Sequence, residues 1–162
     1  MLLYLSVKPY TLKFLTRHLG RDYQLSNVDS FGRYLFGLLR QPRNDKQYDN
    51  YLSRYTAKFP VRLVPYLLAD RACKNCSSQT VVHFNNFVEE IFFREFRSFV
   101  QFRVQEEEMQ AKVAIEKFSR FLGLTEDDIS FETLKKNWCR YWKKEKKRLE
   151  SEQTPSGLSL VA

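Results

Sequence analysis

The apolar positions along the chain change period several times. Residues 2–7, Leu-Leu-Tyr-Leu-Ser-Val, alternate in character and contain the aromatic and β-branched residues that suit a strand. Pro9 fits a first helical turn, and Leu12, Leu15 and Leu19 then recur at helical spacing, with Phe14 beside them, up to Gly20. Residues 22–26 read as a second short strand. Asp29 or Ser30 offers a side-chain oxygen to cap a helix whose apolar face is Phe31, Tyr34, Leu35, Leu38 and Leu39, ending by Pro42. Residues 43–50 are polar and have loop character. Tyr48, Tyr51, Leu52 and Tyr55 follow at near-helical spacing and predict a short helix. Phe59, Val61 and Leu63 predict a third strand limited by Pro60 and Pro65. Residues 70–79 are polar and irregular.

The second half is more plainly helical. Thr80 can cap a long helix carrying Val81, Phe84, Phe87, Val88, Ile91, Phe92, Phe99 and Val100 at three-, four- and seven-residue spacings. It runs to about Val104 and then bends or continues through Glu106-Glu107-Glu108. Residues 106–122 place Met109, Val113, Ile115, Phe118 and Leu122 in another amphipathic pattern, which Gly123 ends. Thr125-Glu126-Asp127-Asp128 is a helix-start pattern with acids near the positive helix end, and Ser130 can restart it. Residues 131–149 form the last helix, and residues 151–162 are expected to be a mobile tail. No internal repeat is visible. The fold class expected is α+β, mainly α-helical. A small sheet-and-helix part (1–78), with helices on one face of three strands, packs with a three-helix region (79–150).

Composition supports a folded core. The 162 residues include 14 Phe, 9 Tyr and 2 Trp, which argues against global disorder and leaves room for a core without disulfides. No apolar run approaches the ~18 residues of a transmembrane helix. The apolar start lacks a preceding basic region and stops at Lys8-Pro9, so it reads as a strand rather than a signal peptide. Cys73, Cys76 and Cys139 are an odd number and suit a reducing compartment. A cytoplasmic location without membrane association is the resulting expectation.

The formal charge is +8, and its distribution is more informative than its sum. Residues 1–104 carry 16 Lys and Arg against eight Asp and Glu. Residues 105–129 carry three basic against seven acidic residues, and residues 130–150 carry eight basic against three acidic. At 100° per residue, Phe131, Leu134, Trp138, Tyr141, Trp142 and Leu149 of the last helix fall within about 100° of arc, a core face. Lys136, Arg140, Lys143 and Lys147, at i, i+4, i+7 and i+11, form a stripe on the opposite side, flanked by Lys144. At 1.5 Å per residue this row is roughly 16 Å long. It suits a phosphate backbone or a major groove, where Arg and Lys also bond guanine edges. The preceding helix, a tight turn at Leu122-Gly123-Leu124-Thr125 and this helix read as a helix–turn–helix-like unit. In the usual repressor pattern an alanine stands four positions before the turn glycine, whereas position 119 is Ser. The ordinary alternative for such a stripe is a solvated face. Arg17, Arg21, Arg33, Arg40, Arg43, Arg54 and Arg62 extend the positive surface only where the fold gathers them.

Catalytic and metal chemistry find little footing. Cys73-Lys74-Asn75-Cys76 has the spacing of half a zinc site or a redox pair, but only His83 and Cys139 could complete a ligand set. His18 and His83 lack a nucleophile-and-acid setting. Phosphate-loop, dinucleotide and nucleophile-elbow motifs are absent. Glu89-Glu90 and Glu106-Glu107-Glu108 diverge by about 100° per residue on helices, so neighbours cannot form a compact acid pair. Tyr48, Tyr51 and Tyr55 read as packing or stacking residues. No catalytic residue, metal site or cofactor is assigned.

Phe84-Asn85-Asn86-Phe87-Val88-Glu89, Ala114-Ile115-Glu116-Lys117-Phe118, Thr125-Glu126-Asp127-Asp128-Ile129, Thr133-Leu134-Lys135-Lys136 and Arg140-Tyr141 carry a resemblance over residues 84–145. The region resembles small, mostly uncharacterised proteins of phage-like and other mobile bacterial elements that end in a helix–turn–helix-like region. The resemblance implies a helical DNA-associated regulator or accessory factor and transfers no catalytic residue. Trp138 and Trp142 stand where Tyr and a basic residue are expected. The leading expectation is a non-enzymatic protein that binds duplex DNA through Lys136, Arg140, Lys143 and Lys147, with Lys135 and Lys144 steering or clamping phosphates. One alternative is a protein-interaction or assembly module, forming a homo-oligomer or partner complex, without nucleic-acid affinity. A second is a single-strand binder stacking bases on Tyr48, Tyr51 and Tyr55.

Overall fold

A computed structural model describes residues 1–40, 46–64 and 76–153. Three strands, β1 (Leu2–Val7), β2 (Tyr23–Gln24) and β3 (Ala57–Arg62), form one sheet in the order β1-β3-β2. β1 runs antiparallel to β3, with Leu5 opposite Phe59 and Tyr4 opposite Pro60, and β2 runs parallel to β3. Alternation gives the sheet one buried face, with Leu5, Val7, Phe59 and Val61 inward, while Leu2, Tyr4, Lys58 and Arg62 are exposed. The fold is α+β and mainly α-helical, as its pattern predicts.

Pro60 lies inside β3, the central strand, instead of limiting it. Leu63 donates to Met1 and Leu25 donates to Arg62, so the odd residues of β3 face β1 and the even ones face β2. The missing N–H of Pro60 therefore faces the side where β2 pairs only with Val61 and Arg62. Pro65 lies outside the described residues.

Five α-helices accompany the sheet among the described residues: α1 (Pro9–Leu19), α2 (Ser30–Arg40), α3 (Ser78–Glu106), α4 (Ala111–Leu122) and α5 (Phe131–Gln153). Residues Lys46–Arg54 form a 3₁₀ helix where polarity predicts a loop up to residue 50. Asp29, rather than Ser30, caps α2, its Oδ1 accepting from Gly32 N at 2.7 Å. Ser77, rather than Thr80, caps α3, its Oγ accepting from Thr80 N at 3.1 Å. The Glu triplet is where the chain breaks, with Glu108 at φ 50° and α4 beginning only at Ala111. Residues 151–153, expected to belong to a mobile tail, are helical, because α5 runs through Gln153, and the rest of that segment lies outside the described residues.

α3 is the spine of the molecule. It lies against α1, α2, α4, α5, β1 and the 3₁₀ helix. Phe92 is fully buried at its centre, with ring centroids 5.0 Å from Tyr10, 5.5 Å from Phe14 and 5.7 Å from Phe118. A ring so enclosed contributes about 1.5–3 kcal/mol relative to exposure. One core cluster extends from Leu5 and Val61 on the sheet through Val88 and Phe96 on α3 to Leu134 and Trp138 on α5. The two parts expected at 1–78 and 79–150 therefore share an interior. Among the described residues, no helix is long and apolar enough to cross a membrane.

Candidate nucleic-acid interface

The connection between α4 and α5 spans residues 123–130, longer than the tight turn expected from Leu122-Gly123-Leu124-Thr125. Gly123 takes the left-handed conformation at φ 65°, where side chains are strained. Its N–H bonds to Arg120 O at 3.1 Å, and Leu124 N bonds to Ser119 O at 2.8 Å, closing the helix end. Asp128 Oδ2 then accepts from Thr125 N at 2.7 Å and from the Thr125 hydroxyl at 2.8 Å. This turn does not propagate. Ser130 starts α5, its Oγ accepting from Thr133 N at 3.2 Å, while the Glu126 carboxylate accepts from Phe131 N at 3.1 Å.

Lys13 of α1 holds the connection in place. Its Nζ donates to Asp128 Oδ2 at 2.6 Å and to the Gly123 carbonyl at 2.7 Å. Desolvation pushes the Asp128 carboxyl upward, but hydrogen bonds from Lys13 and Thr125 outweigh it and hold the group below its ordinary value.

The rotational phase of α5 is set by its aromatic face. Leu134 and Trp138 are buried, and Phe131, Tyr141, Trp142 and Leu149 are half-buried. Trp138 and Trp142 stack with centroids 5.3 Å apart, and the Tyr141 hydroxyl donates to Gln101 Oε1 of α3 at 2.6 Å. With that face anchored, Lys136, Arg140, Lys143, Lys144 and Lys147 are all exposed. None of these five is in an ion pair with another described residue. Lys135 is different. It sits 3.5 Å from Glu132 and lines a groove of about 450 Å³ with Lys112, Ile115 and Trp138, on the flank of α5. Arg148 is also compensated, with Glu145 at 2.5 Å and Glu152 at 2.8 Å.

The scattered arginines of the first part divide. Arg17 and Arg21 meet Arg120 and Phe121 of α4 around a cleft of about 610 Å³. The others lie elsewhere: Arg33 donates to the Asn27 carbonyl at 3.2 Å, Arg54 covers the Tyr51 ring at 5.0 Å, and Arg62 is on the outer face of the sheet. Arg43 lies outside the described residues. The signal for this cleft was present at Phe121, an aromatic outside the buried Ile115, Phe118 and Leu122 phase and adjacent to Arg120.

The tyrosine cluster is not a row of exposed rings. Tyr55 is buried, Tyr48 is half-buried with its ring 5.5 Å from His83, and only Tyr51 is exposed. Their cleft, about 560 Å³, also holds the Lys8–Glu89 ion pair at 2.7 Å. Burial pushes the Tyr55 hydroxyl upward, with the Glu89 charge adding to it. His18 pairs with Glu95 at 3.2 Å and packs on Phe14. Cys73 lies outside the described residues, and burial pushes the Cys76 thiol up to about 11.

No protein-family model matches the chain, and no curated protein or solved structure matches it.

Proposed function

We propose that this chain is a non-enzymatic DNA-binding protein whose last helix lies along duplex DNA, serving as a regulator or accessory factor of a mobile element. The observation that carries the DNA reading is the stripe of Lys136, Arg140, Lys143 and Lys147, exposed and without ion-pair partners among the described residues, opposite an anchored aromatic face. Its neighbour Lys144 reaches adjacent phosphates, and Lys135 contributes from the flank. The association with a mobile element rests on the resemblance of residues 84–145. A row of uncompensated cations releases counterions from a polyanion, so affinity falls as salt rises.

The test is a salt titration of binding to a blunt duplex. Lys136→Glu, Arg140→Glu and Lys143→Glu together are expected to weaken binding and to lower the log–log salt slope by about 2–3, near 0.9 per lost phosphate contact. Unchanged affinity and slope, with an unchanged helical circular dichroism spectrum, would remove α5 from the interface.

The assembly-module alternative has its own observation. Leu2 and Tyr4 of edge strand β1 are exposed, as is the preceding Met1, and among the described residues β1 pairs with β3 alone. That reading predicts a mass above the 19.4 kDa of one chain in light scattering, with no salt-dependent DNA affinity.

A further inference from the structure

α1, the residues that follow it and α4 border a second positive feature, shallow and open to solvent, different in shape from the α5 stripe. The stripe is a straight row on a convex helix, whereas Arg17, Arg21 and Arg120 surround a concavity of about 610 Å³. Among the described residues no carboxylate lines it. Lys13 also borders it, but its ammonium is occupied by Asp128 and the Gly123 carbonyl, so it braces the wall. The three guanidinium groups are exposed, and none has an ion-pair partner among the described residues.

Phe121 adds a flat apolar surface to this charge. It is 56% exposed, although the buried face of α4 is complete without it in Ala114, Ile115, Phe118 and Leu122. The Arg17 guanidinium lies 4.2 Å from its ring centroid, a cation–π arrangement that keeps both groups at the rim. Aromatic rings beside cations are the combination by which proteins hold unpaired bases, because every base has a face to stack and every linkage carries a phosphate. A continuous duplex offers no free base face inside its stack, so an exposed ring beside cations suits a single strand better than a duplex.

We propose that the α1–α4 cleft binds a single-stranded segment of nucleic acid, with one base stacked at Phe121 and the flanking phosphates on Arg17, Arg21 and Arg120. This rests on the nucleic-acid reading above and assigns to it a second site with a different substrate class. The site differs from the tyrosine cluster expected to stack bases, where Tyr55 is buried and Tyr48 half-buried.

The test compares three labelled probes on the full chain: a blunt duplex, the same duplex with an oligothymidine overhang, and free oligothymidine. The wild type is expected to prefer the overhang to the blunt end. Phe121→Ala is expected to weaken oligothymidine binding by about 5- to 150-fold, the range for one lost stacked base, and to leave the blunt duplex unchanged. Arg17→Gln, Arg21→Gln and Arg120→Gln together should also lower the salt slope for the single strand. The α5 charge-reversal variant should show the opposite pattern, losing the duplex and keeping oligothymidine. Unchanged oligothymidine affinity in the Phe121 and arginine variants, both folded by circular dichroism, would overturn the proposal. Equal loss on all probes, or complete displacement of the strand by millimolar inorganic phosphate, would overturn it too. Loss of duplex binding alone in the α5 variant leaves the duplex reading intact, so failure at one site is distinguishable from failure at the other.

Discussion

The side-chain amide of Asn85 donates to the Ser6 carbonyl and to the Val81 carbonyl, each at 2.8 Å. In the β1–β3 register the odd residues of β1 bond to β3, so the carbonyl of Ser6 points to the open edge. Asn85 is fully buried, and through this bond α3 satisfies part of that edge. Replacing Asn85 with Ala removes both donors and is expected to destabilise the protein by about 1–3 kcal/mol in urea unfolding. Asn85→Asp should cost more, since a carboxylate would face two carbonyl oxygens. Wild-type stability in Asn85→Ala would show that water replaces the amide at no cost.

Gly32 occupies a position where a side chain does not fit. An added Cβ would collide with the Ser26 carbonyl oxygen and the Tyr23 hydroxyl. The same Tyr23 hydroxyl donates to Asp29 Oδ2 at 2.7 Å, while Asp29 Oδ1 caps α2 through Gly32 N. Gly32→Ala, helpful at an exposed helical glycine, is expected to cost about 1–3 kcal/mol here, because it overpacks the site and displaces the cap. The loss would appear as a lower thermal midpoint. Gly37, on the same helix with nothing within 4 Å of an added Cβ, is the control and should gain stability on substitution by Ala.

Asp128 makes the connection before α5 sensitive to acid. Its carboxyl is held below the ordinary value, so the unfolded chain takes up the proton first as pH falls. The stabilisation is complete above the unfolded value of about 3.9 and is lost as pH drops through the lower folded one. Asp128→Asn should be less stable than the wild type near pH 7, by about 1–3 kcal/mol, and the gap should narrow on approach to about pH 3. Thermal unfolding across that range measures it. A gap independent of pH would show that the carboxylate charge is not what holds Lys13 and Thr125.

Much of the fold was legible in the residues because local periodicity and local caps decide it. The alternation of residues 2–7, Pro9 at the start of α1, Gly123 at the end of α4 and the aromatic face of α5 each act within a few residues of chain. Local reading failed where a distant partner chose among local options. Pro60 is compatible with a central strand only because β2 is too short to need its donor. The start of α3 is a separate case, a choice between two capping residue types three positions apart that Ser77 wins by accepting from Thr80 N.

By itself the sequence determined which faces are apolar and where the α5 cations stand relative to the tryptophans, since both follow from helical geometry. Only the tertiary structure decided which charges act together. Arg17 and Arg120 are separated by some hundred residues of chain and meet because Phe92 packs against Phe14 of α1 and Phe118 of α4, bringing their helices side by side. Lys13 likewise reads as one more surface cation in the sequence, and is neutralised only when α1 lies beside Asp128. Periodicity specifies the direction of a side chain within its own element, and core packing specifies its neighbours from all the others.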